Sequence, residues 1–252
     1  MGTIAGTNVG VAPAVKWIAA RGCNYYCSEY DLTSSGQWVI CPKKLDKSEE
    51  DCTLGADVVS NSWGGSRGND WYEEVSIAWQ ASGVIPVFAQ GNAGPSCSTA
   101  NSPGDLHNVM GVASVDQYFK LSSFSSRGPG VGTEKFPTQK PDISAPGERI
   151  KSSYMDGGYR YLSGTSMACP HIAGVVALIL SVNPNLSYDQ IYDILKETAI
   201  TKELKTPTGR TSCDGVESST FPNFHYGHGL VDAFAAVKAA QEAKETGVVL
   251  DF

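Results

Sequence analysis

Short runs of apolar residues, with a helical pattern between two of them, constrain the fold of this chain more than any other feature. The runs are near-continuously apolar and rich in β-branched residues, as is typical of strands buried on both faces of a parallel sheet. They cover 15–20, 56–62, 84–89 and 108–115. Between the second and third runs, residues 69–83 repeat apolar side chains at helical spacing and end at a glycine. This β-α-β order predicts an α/β fold with a parallel sheet.

Three later segments, 165–182, 187–199 and 229–244, carry helical patterns. The second begins with a capping box, in which Ser187 is the cap and Gln190 follows three residues later. Residues 22–55 and 201–225 are predicted to be loop-rich.

Charge and hydropathy exclude two classes of partner. The net charge of −7 argues against a nucleic-acid ligand. The longest apolar run, 172–180, has about half of the ~20 residues that a membrane-spanning helix needs. We therefore expect neither nucleic-acid binding nor a membrane span.

Seven cysteines are many for a chain of 252 residues. The simplest expectation is three disulfides and one buried thiol, Cys169, which lies inside the apolar helical pattern. Disulfides would place the protein in an oxidising, extracellular or secretory compartment. Zinc is the alternative for the cluster that precedes residue 55, but its spacing lacks paired C-x2-C units. That cluster consists of Cys23, Cys27, Cys41 and Cys52.

Three glycine-containing segments are predicted to meet at the carboxyl edge of the sheet, where ligands bind in open parallel sheets. Glycine allows a substrate to approach the backbone, and Asn92 supplies an amide donor. Ser166 begins a helix, so free N–H groups and a positive dipole lie beside it. These features indicate a nucleophile with an oxyanion hole. The segments are Trp63-Gly64-Gly65, Gln90-Gly91-Asn92 and Gly164-Thr165-Ser166.

Pro170 is unusual within the first turns of this predicted helix. It has no N–H to donate to the Ser166 carbonyl, which costs stability. A helix with a purely structural role would seldom have proline there.

Several motifs in this order resemble the subtilisin-like serine peptidases. The nucleophile segment SGTSMACPHIAGVVALI (163–179), the oxyanion segment FAQGNAGP (88–95) and the substrate-binding strand VVSNSWGG (58–65) carry the resemblance. Further matches are LSSFSSRGP, KPDISAPG and YGHGLVDAFAAV. The loop at 95–99 and AVKWIAARGC (14–23) are similar to the bacillopeptidase F branch.

The resemblance implies a subtilisin-like fold, with helices on both faces of the sheet, and serine endopeptidase activity on peptides or proteins. It makes Ser166 the nucleophile and Asn92 the side-chain oxyanion donor. It implies one partial peptidase domain over 1–252 with a Cys-rich insertion at about 22–55. No cofactor is required, although the family allows calcium as a structural ion. Substrate-binding positions are Ser62, Trp63, Gly64, Gly65, Ala89, Gln90, Gly91, Gly164 and Thr165.

A serine nucleophile needs a base, and none of the four histidines is predicted to serve. His171 lies about 140° around and 7.5 Å along the helix from Ser166, so we expect it in the core. His107 precedes a strand at the amino edge of the sheet. His225 and His228 are expected in a turn rather than in a metal site.

The family's catalytic His lies in a His-Gly-Thr-His segment that is followed by a stretch like MGTIAG, and its Asp lies earlier still. Since this sequence begins at MGTIAG, we expect a fragment that lacks both residues and is inactive alone.

Two alternatives remain at this point. One is a non-catalytic peptide-binding domain with the same fold. The other is Ser66 as the nucleophile of an α/β-hydrolase, because residues 64–68 read G-x-S-x-G between a strand and a helix.

Overall fold

A computed structural model describes residues 1–23, 25–43, 49–131 and 138–246. Its main sheet has four parallel strands in sequence order, with Asn61 opposite Phe88 and Val112 opposite Ile143. The parallel α/β prediction is therefore confirmed. The strands are β1 (Val58–Asn61), β2 (Ile85–Ala89), β3 (Met110–Val115) and β4 (Ile143–Pro146).

Helices and two hairpins complete the described secondary structure. The hairpins pair β5 (Ile150–Ser153) with β6 (Tyr159–Leu162), and β7 (Ser212–Cys213) with β8 (Val216–Glu217). Single 3-10 turns cover Cys52–Leu54 and Met155–Gly157. The helices are α1 (Gly2–Ala5), α2 (Glu29–Ile40), α3 (Glu73–Ala81), α4 (Thr165–Val182), α5 (Tyr188–Glu197) and α6 (Ala233–Thr246).

Apolar side chains pack on both faces of the sheet. On one face, Val87 and Val112 contact a cluster built from α4, α5 and α6. On the other face, Phe88 packs with Trp79 of α3 and Leu32 of α2. The residues of β2 and β3 are all buried, which explains why their sequences are almost entirely apolar or small. This confirms helices on both faces.

Each predicted helix is present in the structure, although most begin or end a few residues from the predicted positions. The first of the later segments, 165–182, matches α4 at both ends. The capping box of α5 is present, with the Ser187 hydroxyl and the Gln190 side chain bonded reciprocally to the backbone. In α3, a turn over the first residues of 69–83 delays the helix to Glu73.

The strand predicted over 15–20 is wrong. These residues have no regular secondary structure, and the side chain of Trp17 is 64% exposed. A strand needs a neighbour for its backbone hydrogen bonds, and no described strand pairs with this segment. The order of the sheet also leaves β1 at an edge among the described residues.

The loop-rich prediction for 22–55 missed α2. Ser28 caps this helix by accepting from the Asp31 N–H. Gly36 lies against the packed aromatic side chains of α3, and Trp79 Nε1 donates to its carbonyl at 2.8 Å. A Cβ on Gly36 would lie 2.6 Å from the Tyr72 hydroxyl. The glycine that weakens the helical pattern in the sequence is what allows this close packing.

The cysteine prediction is confirmed, and the zinc alternative is wrong. Disulfides join Cys23 to Cys27, Cys41 to Cys52, and Cys97 to Cys213. Cys169 is the free, buried thiol. Burial raises its pKa to about 11, so the thiol stays protonated at neutral pH.

One helix in the described part of the chain, α4, is long and apolar enough to cross a membrane by length and composition. More than half of it is buried inside the protein, where it packs against the sheet and α6. Its apolar sequence is therefore explained by its place in the core.

Candidate functional site

Two strand ends and one helix start come together at the carboxyl edge of the sheet. The register of β1 and β2 places Asn61 beside Phe88, so the segments that follow both strands leave the sheet at the same edge. Segment 62–65 follows β1, and segment 90–92 follows β2. The amino end of α4 lies between them, and hydrogen bonds join Ser166 to the first segment and Thr165 to the second.

Thr165 fixes the orientation of Asn92. Its backbone N–H donates to Asn92 Oδ1 at 2.8 Å, and its hydroxyl donates to the same oxygen at 3.1 Å. The Thr165 hydroxyl also accepts from the Gly91 N–H at 3.1 Å. Thr165 is fully buried, whereas Asn92 is exposed. Because Thr165 occupies Oδ1 with two hydrogen bonds, Nδ2 is the atom that Asn92 presents to a ligand.

Two N–H donors converge beside Gly164. A Cβ at Gly164 would lie 3.6 Å from Asn92 Nδ2 and 3.6 Å from the Ser166 backbone nitrogen. Gly164, which precedes α4, has φ +157, a backbone conformation that glycine adopts more readily than other residues. The Ser166 N–H belongs to the first turn of α4, where backbone N–H groups lack intrahelical acceptors. Such a pair of donors can bind an oxyanion.

Ser62 replaces the hydrogen bond that Pro170 removes. In a regular helix the Ser166 carbonyl would accept from the N–H of residue 170, and proline has none. The Ser62 hydroxyl donates to this carbonyl at 2.8 Å, while the Ser166 hydroxyl donates to the Ser62 carbonyl at 3.4 Å. The two residues thereby join the end of β1 to the first turn of α4, which explains how proline is accommodated there.

Replacing Ser62 with Ala is expected to lower the free energy of unfolding by about 1 kcal/mol, because the Ser166 carbonyl loses its donor. Chemical denaturation of the two proteins measures this difference. Ser66→Ala, in the same loop, is the matched control and should leave stability within about 0.5 kcal/mol. Equal stability of Ser62→Ala and the control would contradict this role of Ser62.

The predicted substrate-binding positions lie around this site with different exposure. Ser62, Gly64 and Gly65 are exposed, and Trp63 packs edge-on against Tyr72 and Phe88. Ala89 and Gln90 are buried. The Gln90 side chain points towards Gly111, where a Cβ would lie 2.2 Å from Gln90 Oε1. Only the backbone of Gln90 can therefore face a ligand.

Asn101 was not predicted from the sequence to belong to this site. The structure places this residue between two predicted substrate-binding segments: its backbone N–H donates to the Gln90 carbonyl at 3.0 Å, and its Nδ2 donates to the Gly65 carbonyl. No local pattern marks Asn101, because its partners are 11 and 36 residues away in sequence.

None of the four histidines forms a hydrogen bond with Ser166 in the described part of the chain. His171 Nδ1 contacts the Met167 carbonyl at 2.8 Å, and burial lowers the pKa of His171. His107 is exposed and lies 3.4 Å from Glu73. His225 contacts the Arg210 carbonyl, and burial lowers the pKa of His225 to about 4. His228 packs on Tyr192.

The α/β-hydrolase alternative does not fit the geometry. A nucleophile elbow places its Ser on a sharp turn directly between strand and helix. Ser66 lies in a loop that runs from the end of β1 at Asn61 to the start of α3 at Glu73. As to metals, no group of three or more His, Cys, Asp or Glu side chains clusters among the residues that the structure describes.

The parallel sheet, with Ser166 at the start of a buried helix and the Asn92 amide beside it, defines a subtilisin-like α/β protein. The chain belongs to the subtilase family, whose profile matches residues 1–229.

Several proteins are similar to the chain. Bacillopeptidase F of Bacillus subtilis (strain 168) is 39% identical over 94% of the chain, which spans only 16% of that protein. Subtilisin DY of Bacillus licheniformis is 32% identical over 91% of the chain and 71% of its own length. Among solved structures, a protease from Pseudoalteromonas arctica PAMC 21717 matches with a TM-score of 0.74, at 28% identity, over 95% of this chain and 69% of that one.

Proposed function

We propose that this chain forms the nucleophile-bearing part of a serine endopeptidase that acts on peptides or proteins. The observation that supports this most is that the Asn92 amide and the Ser166 backbone nitrogen both lie 3.6 Å from a Cβ built on Gly164, at the start of the helix that carries Ser166. Membership of the subtilase family supports it independently.

In the proposed reaction, Ser166 Oγ attacks the carbonyl carbon of the scissile bond. The carbonyl oxygen becomes an oxyanion, which accepts hydrogen bonds from the Ser166 N–H and Asn92 Nδ2. The proton of the hydroxyl moves to a base and then to the leaving amine, and water hydrolyses the acyl-enzyme. The peptide backbone lies along the exposed segment 62–64 as an added strand.

We further propose that the base and its orienting carboxylate come from residues outside this chain. A serine hydroxyl is a weak nucleophile at neutral pH unless a base activates it. Each histidine has another partner among the described residues, and β1 has an edge without a described neighbour. The chain by itself should therefore be inactive. In this proposal the chain is one partial peptidase domain, and residues 22–55 are an insertion in it.

The three disulfides support an extracellular or secretory location, since such bonds persist in oxidising compartments.

A second candidate function is non-catalytic peptide binding at the same site. Within the described ranges Ser166 has no histidine partner, which favours this alternative, and the activity experiment separates the two functions.

A fluorophosphonate, which reacts with activated serines, tests the proposed function. Chain 1–252 and the longest product of its gene should be treated side by side, with Ser166→Ala in both as the control. We expect strong labelling of Ser166, and peptide hydrolysis, only in the longer protein. Strong labelling of the short chain would contradict an external base. Peptide binding by both proteins without labelling or turnover would favour the non-catalytic alternative.

A further inference from the structure

We propose that Asn101 restricts the substrate residue before the scissile bond to small side chains such as Ala or Ser. The inference rests on the proposed function and specifies the substrate class of the same site.

Asn101 and Ser102 join the two segments that would enclose this substrate residue. The Asn101 N–H donates to the Gln90 carbonyl at 3.0 Å, and the Gly65 N–H donates to the Ser102 carbonyl at 2.8 Å. The segment that follows β2 and the segment that follows β1 are thus tied to one short stretch of chain. This stretch closes the space between them on the side of the protein interior.

The side chain of Asn101 extends across the same space. Its Nδ2 donates to the Gly65 carbonyl. On the opposite side, a Cβ at Gly91 would lie 2.0 Å from Asn101 Oδ1, so the amide oxygen packs against the bare glycine backbone. A Cβ at Gly64 would lie 3.5 Å from Asn101 Cβ. The amide therefore fills the gap between glycines of both segments.

The surroundings of the gap decide which substrate side chains fit. Glycines 64, 65 and 91 contribute backbone only, and the Gln90 side chain points away, towards Gly111. A methyl or hydroxymethyl group can enter above the Asn101 amide. A Leu or Phe side chain would have to displace the amide and break its bond to the Gly65 carbonyl. Steric and polar restrictions of this size change selectivity by about 10- to 200-fold.

Product-like peptides test the inference without requiring turnover. We would use acetylated tetrapeptides that end in a free carboxylate and differ only in the last residue, X, as Ala or Phe. Their dissociation constants would be measured with wild type, Asn101→Gly and Asn101→Leu. Asn185→Gly, an exposed Asn after the far end of α4, is the matched control. Thermal unfolding of each variant checks that it folds.

Wild type should bind the Ala peptide at least about 10-fold more tightly than the Phe peptide. Asn101→Gly should reverse this order because it empties the gap. Asn101→Leu, whose side chain has the same number of heavy atoms and the same branching, still fills the gap and should preserve the order, as should Asn185→Gly. Equal binding of both peptides by wild type, or an unchanged ratio of the two dissociation constants in Asn101→Gly, would overturn this inference and leave the proposed function standing. If no peptide binds any of the proteins, the proposed function fails, and the inference fails with it.

Discussion

Removing the Cys97–Cys213 disulfide is expected to lower the free energy of unfolding by about 5 kcal/mol. The two cysteines are 116 residues apart, so the bond closes by far the longest loop of the three disulfides. In the chain-entropy account, stabilisation grows with the logarithm of loop length. The bond also lies five residues beyond Asn92 and fixes this loop to the β7–β8 hairpin.

Paired Cys→Ser variants measure this effect without leaving a free thiol behind. Chemical denaturation should show a loss of about 5 kcal/mol for the pair at 97 and 213. The matched pair at 41 and 52, which closes a loop of 11 residues, should lose about 3 kcal/mol. Equal losses for the two pairs would contradict the dependence on loop length.

Replacing Asn92 with Ala is expected to lower kcat by about 10²- to 10³-fold, or about 2.7–4 kcal/mol, with little change in KM. That range was measured for an oxyanion-hole Asn in a subtilisin, so it is taken from a relative. The physical reason is that Nδ2 donates to charge that develops only in the transition state. Steady-state kinetics on the longest product of the gene, which is proposed to supply the base, is the measurement.

Thr165→Val separates the positioning of Asn92 from its chemistry. Valine has the shape of threonine but cannot donate to Asn92 Oδ1 or accept from the Gly91 N–H. Its kcat should lie between those of wild type and Asn92→Ala. Asn185→Ala serves as the remote control and should leave kcat unchanged. A rise in KM at constant kcat in Asn92→Ala would contradict the role of this residue as an oxyanion donor.

Elements whose interactions are local or uniform were predictable from the sequence. Strands β2 and β3 are buried on both faces, so every residue in them is apolar or small and the pattern is unambiguous. The start of α5 was predictable because its capping box is complete within four residues. Ser166 and Asn92 were proposed as site residues because their short motifs resemble those of one family, and their catalytic roles stay predictions.

Elements that depend on distant partners were not predictable. Segment 15–20 has the composition of a strand, but no described strand pairs with it, and composition cannot supply the missing backbone partner. Helix α2 contains Gly36, which leaves room for the close packing of Tyr72, a residue 36 positions later in the chain.

The sequence by itself therefore determined the α/β class and the disulfide count, and it supplied the predictions of Ser166 as nucleophile and Asn92 as oxyanion donor. These depend on periodicity, composition and short motifs, which are written locally in the chain. Only the tertiary structure decided that Ser62 compensates for Pro170 by donating to the Ser166 carbonyl, 104 residues away, that Thr165 orients Asn92, and that Asn101 spans Gly65 and Gly91. Those contacts arise where strand ends and a helix start meet, and the distance between two residues along the chain does not reveal that they are neighbours in space.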